Sequence, residues 1–162
     1  MAVDYFLKID TIEGESEDSK HKGEIHLDAW SWGETQTGSS AQDTGLGSGK
    51  VNMQDFHFTM KCCKASPKLF IACANGEHIK KAVLTCRKAG KTQQEFLFYT
   101  FTDLLISSFQ TGGNANDVIP TDQISFNFTK VVMEYKPQKA DGTLDAGIKK
   151  GWNLKTNVED TN

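Results

Sequence analysis

Residues 25–36 (IHLDAWSWGETQ) constrain the fold of this chain more than any other segment. Apolar residues recur at every second position, which predicts a β-strand rather than a helix. The three aliphatic residues occupy odd-numbered positions, whereas Trp30 and Trp32 occupy even-numbered ones; residues of the same parity share one face of a strand. Because two indoles bury far more apolar surface than an alanine, we expect both tryptophans to point into a core. This requires a switch of face near residues 28–29, most simply a β-bulge, and it turns Ser31 away from the core.

In two later segments the apolar residues likewise switch between odd-numbered and even-numbered positions. Residues 51–62 predict a strand with a switch near residues 54–55, and residues 123–136 predict one with a bulge near residues 129–130. In residues 95–102 the apolar side chains occupy both parities, so this strand has to be covered on both faces. The chain is therefore rich in long, bent strands.

One segment, residues 66–76, has the signals of a helix. Ser66 can cap it, Pro67 suits the first turn, and Gly76 suits the left-handed position after the last turn. Three apolar residues share a face that should pack on the β-structure. They are Leu69, Phe70 and Cys73.

Shorter alternating segments complete the predicted β-structure. They cover residues 4–10, 79–88 and 104–110, and the last should form a hairpin with the strand at 95–102. About seven strands and one flanking helix (66–76) predict a mainly β chain. Its bulges indicate a twisted antiparallel β-barrel or sandwich.

The length of 162 residues suits a single domain, 1–162, with a polar C-terminal tail at about 153–162 that is anchored by Trp152 and frayed at its end. Long strands without a second domain leave sheet edges uncovered. Unpaired backbone groups at an edge template pairing with another chain, so a symmetric ring of subunits would satisfy them.

Two polar connections interrupt the predicted strands. Residues 13–23 are charged and contain no large apolar residue, so we favour a solvated surface loop over a metal site built from its acids and His21. Residues 38–50 hold four glycines and three serines. Loops of this length are usually functional or disordered. Leu46, between two glycines, is either a docking tip or an incidentally exposed leucine.

The bulk properties exclude several classes of function. A net charge of −3 does not suggest nucleic acid or an anionic membrane as partner. The longest apolar run is too short to insert into a bilayer. The N-terminus, MAVDYFLKID, has neither a basic n-region nor a long h-region, so we expect no cleaved signal peptide. The protein then stays in the cytoplasm or leaves by a route that reads no such signal.

The sequence shows no recognisable catalytic motif, so we expect no enzyme, no cofactor and no bound metal. The GLGSGK run at residues 45–50 lacks the spacing of a phosphate-binding loop. His26 and His57 could bind a metal as in a cupin, but neither lies in an H-x-H pattern. The four cysteines form no C-x-x-C pair, and without a signal peptide we expect reduced, structural thiols.

Three stretches carry a family resemblance: residues 8–33 (KIDTIEGESEDSKHKGEIHLDAWSWG), 64–76 (KASPKLFIACANG) and 83–90 (VLTCRKAG). They resemble the haemolysin-coregulated protein (Hcp) family, the inner-tube proteins of type VI secretion systems. The resemblance implies a β-barrel with a flanking helix, a hexameric ring, and rings stacked into a tube. It also implies that a contractile sheath drives this tube, tipped by a spike, from the bacterial cytoplasm into a neighbouring cell, and that effector proteins bind inside the ring.

The resemblance also assigns roles to two regions of the chain. Ser31 would line the lumen and contact cargo, and the glycine-rich loop would stack the rings. The candidate stacking residues are Gln42, Asp43, Thr44, Gly45, Leu46, Gly47 and Ser48. Two other classes stay open from the residues themselves: a monomeric β-barrel that binds a small ligand in its interior, and a metal-dependent enzyme of the cupin type.

Overall fold

The computed structural model describes residues 2–36 and 50–162, so the candidate stacking residues 42–48 lie outside the described residues. The described part contains eleven strands and one helix, which confirms the mainly β class. The strands are β1 (Val3–Ile9), β2 (Ile25–His26), β3 (Ala29–Ser31), β4 (Glu34–Gln36), β5 (Val51–Met53), β6 (Phe56–Lys61), β7 (His78–Lys88), β8 (Gln94–Gly112), β9 (Thr121–Tyr135), β10 (Ile148–Asn153) and β11 (Val158–Glu159). The helix α1 (Ala65–Asn75) lies between β6 and β7.

Nine of these strands form one antiparallel sheet. Its main path runs β11, β10, β9, β8, β7, β1, β2, and a branch runs from β9 through β6 to β3. Strands β4 and β5 form a separate two-stranded sheet. Within the described residues the pairing does not close into a regular barrel, because β2 and β3 are successive pieces of chain rather than a hydrogen-bonded pair.

The single strand predicted for residues 25–36 is wrong, because the segment is divided into β2, β3 and β4. The Leu27 N–H donates to the carbonyl oxygen of Tyr5 in β1 (2.9 Å), whereas the next N–H, of Asp28, donates to Thr59 in β6 (2.9 Å). The chain therefore leaves β1 and joins β6 at this step. The predicted switch of face is real, but it is a change of strand partner and not a bulge.

Both tryptophans pack against the core, as their parity predicted. The ring centroid of Trp30 lies 6.0 Å from that of Phe56 and 5.5 Å from that of Tyr99. The Trp32 ring lies 5.9 Å from Tyr99. Ser31, between the two indoles, is exposed and faces the other way.

Phenylalanine side chains fill the space enclosed by the curved sheet. The Phe101 ring lies 4.9 Å from Phe56, 5.1 Å from Phe126 and 4.9 Å from Phe128. Phe56, Phe101 and Phe126 are fully buried. Burying one such ring contributes about 2–3 kcal/mol, so these contacts fix the positions of the strands that carry them.

Strand β8 runs for 19 residues through the point where a hairpin was predicted, so the hairpin is wrong. Its register with β9 is unbroken on both sides of Asp103, which has a φ of 54°. Thr129 Oγ1 donates to the Asp103 carboxylate (3.0 Å), and aspartate is one of the few residue types that tolerate a left-handed conformation. The bulge predicted at residues 129–130 is also wrong, because the register shifts instead between Ile106 and Ser108.

Helix α1 is shifted by one residue from the predicted 66–76. Gly76 has a φ of 66° and its N–H donates to the carbonyl oxygen of Ala72, which confirms its role after the last turn. The predicted cap is wrong, because Lys64 occupies that position and makes no side-chain capping bond. Ser66 lies inside the helix, where its hydroxyl is free for a tertiary contact.

The inward face of α1 differs in part from the predicted one. Leu69 is fully buried and Cys73 is partly buried against the core. Phe70 contacts the β-structure as predicted, with its ring 6.0 Å from Phe109 of β8, but it remains 53% exposed. The buried face instead includes Ser66, which donates to Asp122 of β9.

Residues 13–23 form a connection outside the strands in which most charged side chains are exposed, as predicted, but two of its residues bind to the sheet. Arg87 donates to both carboxylate oxygens of Asp18 (3.0 and 2.7 Å) and to Asp4 (3.2 Å). This bidentate contact holds the pKa of Asp18 well below its ordinary range. Gly14 is required where the segment returns, since a Cβ there would lie 2.5 Å from a backbone oxygen of residue 24.

His21 fastens the other end of this connection and is only 6% exposed. Its Nδ1 lies 2.9 Å from Glu24 and its Nε2 lies 2.8 Å from Glu95. Its ring stacks on Phe6 at 4.3 Å, so the Arg87 guanidinium, 4.8 Å from the same ring, takes the opposite face. Asp18 and His21, two polar residues of this connection, therefore bind it to the sheet.

The C-terminal segment, predicted as a frayed polar tail from about residue 153, extends the sheet instead. Strand β10 pairs with β9, and β11 pairs with β10. Trp152 lies opposite Val131 and is half-buried. Lys130 Nζ lies 3.1 Å from the Asp160 carboxylate, which ties the last residues to β9.

Candidate interaction face

One row of small polar side chains crosses four neighbouring strands. Ser31 of β3 lies opposite His57 of β6, His57 lies opposite Ser125 of β9, and Ser125 lies opposite Ser108 of β8. The phenylalanines on either side of His57 point into the core, so alternation turns His57 outward; Ser31 is also exposed and Ser108 is partly exposed, whereas Ser125 is buried beneath the neighbouring serines. The structure thus extends the face predicted for Ser31 across the sheet.

A second row lies two residues away along each strand. It consists of Ala29, Thr59, Gln123 and Gln110. All members of the two rows except Ser125 line an open depression of about 270 Å³, together with Trp30, Phe58 and Ile124. Among the described residues that line it, none is Asp, Glu, Lys or Arg. The depression therefore offers hydrogen-bonding groups that include no carboxylate, ammonium or guanidinium.

Three serine hydroxyls connect this face to a carboxylate. Ser107 Oγ donates to Asp55 Oδ2 (2.6 Å), and Ser125 Oγ lies 2.8 Å from Ser107 Oγ and 2.5 Å from Ser108 Oγ. Adjacent residues of a regular strand point to opposite faces. The register shift after Ile106 places both Ser107 and Ser108 within reach of Ser125. Sequence parity could not reveal this chain, because the shift changes the parity.

The arm formed by β4 and β5 leads into the segment that carries the candidate stacking residues. Glu34 pairs with Met53, and the gap between β5 and β6 lies at residues 54–55, where a switch was predicted. An open groove of about 920 Å³ separates the arm from β9 and β10. The indoles of Trp32 and Trp152 line it. The arm is therefore a separate two-stranded sheet that lies beside β9 and β10.

All four cysteines are free thiols, as predicted. Burial raises the pKa of Cys86 to about 12 and also raises the pKa of Cys63. Cys62 is exposed. In the part of the chain that the structure describes, no three His, Cys, Asp or Glu side chains are placed to hold a metal ion.

The fold and this face define a class: a mainly β protein with a packed aromatic interior, an uncharged polar outer face and a two-stranded arm. The family model for "Type VI secretion system effector, Hcp" matches residues 6–135. Protein hcp1 of Pseudomonas aeruginosa is 47% identical over 161 residues, which cover 98% of this chain and 99% of that protein. This chain therefore belongs to the Hcp family of type VI secretion proteins, as its motifs indicated.

Solved structures agree with this assignment over nearly the whole chain. A structure described as a type six secretion system protein has a TM-score of 0.92 and 31% identity, and covers 98% of this chain and 100% of its own. Hcp1 from Salmonella typhimurium has a TM-score of 0.79 and 36% identity, and covers 99% and 100%. As for membranes, the helix in residues 65–75 is too short to span one, and the described residues include no other helix.

Proposed function

We propose that this chain forms hexameric rings that stack into the inner tube of a type VI secretion system. Membership in the Hcp family supports assembly from copies of the chain. The sheet supports it as well, because β11 and β2 are the end strands of its main path. End strands offer backbone groups to a neighbouring copy, and a closed ring satisfies them all.

In this ring, Ser31 and the rows beside it line the lumen and contact effector proteins. The observation that carries this proposal is the outward face, which is polar and uncharged and lies directly behind a packed aromatic core. The side chains that line this depression include no Asp, Glu, Lys or Arg, so they can form hydrogen bonds with many partners. That property suits a lumen through which different proteins are carried.

The arm and the loop beyond it stack one ring on the next through residues 42–48. The support for this role is that β4 and β5 pair with each other and not with the main sheet. Deleting residues 45–47 should leave rings intact but reduce their stacking, as seen by electron microscopy. Tubes of unchanged length would show that the arm is not the stacking element.

The rings assemble in the bacterial cytoplasm and leave with the tube when the contractile sheath drives it outward behind its spike. No cleaved signal is needed for this route. The chain's role is structural and carrying rather than enzymatic, and it requires no cofactor. Family membership is the support for each of these statements.

A monomeric barrel with an interior ligand is the competing proposal. The space it would need is occupied by aromatic side chains, since Phe56, Phe101 and Phe126 meet there and are fully buried. Both depressions described above open on the surface. The packing therefore favours a role on the outer faces.

Solution mass separates the two proposals. One chain has a mass of 17.9 kDa, so a hexamer should have a mass of about 107 kDa. A particle of single-chain mass at high concentration would refute the ring.

A second test addresses the lumen. Ser31→Gln should reduce effector export while the ring mass persists, because the longer side chain fills the depression. Thr102→Gln, at an exposed position of β8 outside the depression, is the matched control. Normal export from the Ser31 variant would reject the lumen placement without affecting the ring.

A further inference from the structure

The hydroxyl chain on the outer face has a fixed direction. An ionised aspartate only accepts hydrogen bonds, and each serine has one proton to donate. Ser107 donates that proton to Asp55 (2.6 Å). The contact between Ser107 and Ser125 (2.8 Å) must therefore use the proton of Ser125. The contact between Ser125 and Ser108 (2.5 Å) must then use the proton of Ser108.

The chain consequently ends in a lone acceptor. Ser108 lines the depression, and its hydroxyl donates its hydrogen bond to Ser125. The Ser108 oxygen can therefore only accept a hydrogen bond from a partner. Each hydrogen bond in such a chain polarises the next, which makes the last oxygen a better acceptor than an isolated hydroxyl. A carboxylate or another acceptor placed there meets lone pairs, with the charge of Asp55 behind them.

We propose that this depression recognises hydrogen-bond donors, and that its partner is an extended polypeptide segment of the cargo whose main-chain N–H groups point at the face. This inference rests on the proposed lumen role. Ser108 and Gln110 lie two residues apart on β8, a separation of about 6.7 Å along a strand. An extended chain presents successive N–H groups of one side at that same spacing. The face therefore matches a cargo's backbone and does not depend on its side chains.

A matched pair of peptides tests the proposal by saturation-transfer difference NMR. The first probe is acetyl-(Gly-Ala)₃ closed by a C-terminal dimethylamide, so that its only donors are main-chain N–H groups. The second is the same peptide methylated at every peptide nitrogen, which keeps the acceptors and removes the donors. We expect the unmethylated peptide to give a signal about five-fold stronger, because one net hydrogen bond contributes about 1 kcal/mol to binding. Equal signals would overturn the proposal.

Two variants locate the effect. Ser108→Ala removes the terminal acceptor and should bring the two peptides to equal signals, whereas Thr102→Ala, an exposed position on the same strand, should leave the difference intact. Asp55→Asn replaces a pure acceptor by an amide that can also donate to Ser107, so the direction of the chain is no longer imposed. It should reduce discrimination while the hydroxyls remain. Full discrimination in either site variant would refute the mechanism.

The solution mass of each sample keeps this inference separate from the proposed function. A particle of ring mass that binds both peptides equally rejects the donor selectivity and leaves the ring standing. A particle of single-chain mass that still discriminates rejects the ring and leaves the chemistry of the face standing.

Discussion

The contact between Ser66 and Asp122 allows a sharp test of how α1 is held on the sheet. Ser66 Oγ donates to Asp122 Oδ2 (2.5 Å) and accepts from the Cys63 N–H (3.0 Å). Asp122 is 0% exposed, and its Oδ1 has no partner within the described residues. Ser66→Ala would therefore leave a buried carboxyl without this hydrogen bond. The penalty for such a group is about 1–3 kcal/mol, and the lost acceptor for Cys63 adds about 1 kcal/mol.

Alanine is the better helix former by roughly 0.4 kcal/mol, which offsets part of this loss. We therefore expect Ser66→Ala to lower the free energy of unfolding by about 2–3 kcal/mol. Urea unfolding measures it, at a fixed protein concentration because assembly would stabilise the folded chain. In an Asp122→Val background the same serine change should cost only about 0.6 kcal/mol, since the lost acceptor for Cys63 is partly offset by helix propensity and no carboxyl is left unpaired. Equal costs in the two backgrounds would refute the argument.

Three further results are expected from the described contacts. Arg87 lowers the pKa of Asp18 in the folded state, so the contribution of Asp18 to stability is complete above its ordinary pKa of 3.8 and is lost as the pH falls below that value. Asp18→Asn should therefore reduce the fall in the urea midpoint between pH 5 and 2. Exposed Cys62 should react with a thiol reagent in the folded protein, whereas Cys86, with a pKa of about 12 and 1% exposed, should react only on unfolding. Phe101→Ala should cost about 3–5 kcal/mol in urea unfolding, because its fully buried ring contacts several others.

Sequence parity predicted the orientation of side chains better than the bounds of strands. Trp30 and Trp32 point inward and Ser31 points outward because apolar area decides which face is buried. Parity carries no information on which strand a segment pairs with. The transfer of residues 25–36 from β1 to β6 depends on partners distant in sequence, so it could not be read from local pattern.

The hairpin error in β8 has a local cause. Asp103 interrupts the apolar alternation and is a common turn residue, which favoured a turn at that point. In the structure Asp103 has a left-handed conformation, but strand β8 continues through it. Thr129 on the neighbouring strand donates to the Asp103 carboxylate and stabilises this conformation. A cross-strand partner 26 residues away therefore decided between a turn and a kinked strand.

In the charged connection at residues 13–23, composition predicted the exposure of most charged side chains but not the contacts that two of its residues make. Its composition is typical of a solvated loop, but Asp18 and His21 find specific partners on the sheet. Arg87 lies on β7, where it read as one polar residue in an alternating strand. Composition records how many charges a segment carries, and the fold determines whether they are paired.

The candidate face shows which of its residues could be found from the sequence and which required the strand registers. Ser31 could be found from parity, but its row appears only through the registers that place His57, Ser125 and Ser108 beside it. Ser31, His57 and Ser125 each alternate with aromatic or aliphatic side chains that pack in the core. A face held in this way is already ordered before a partner arrives, so binding there costs little conformational entropy. Weak, uncharged hydrogen bonds can then suffice for carriage, and their weakness allows release.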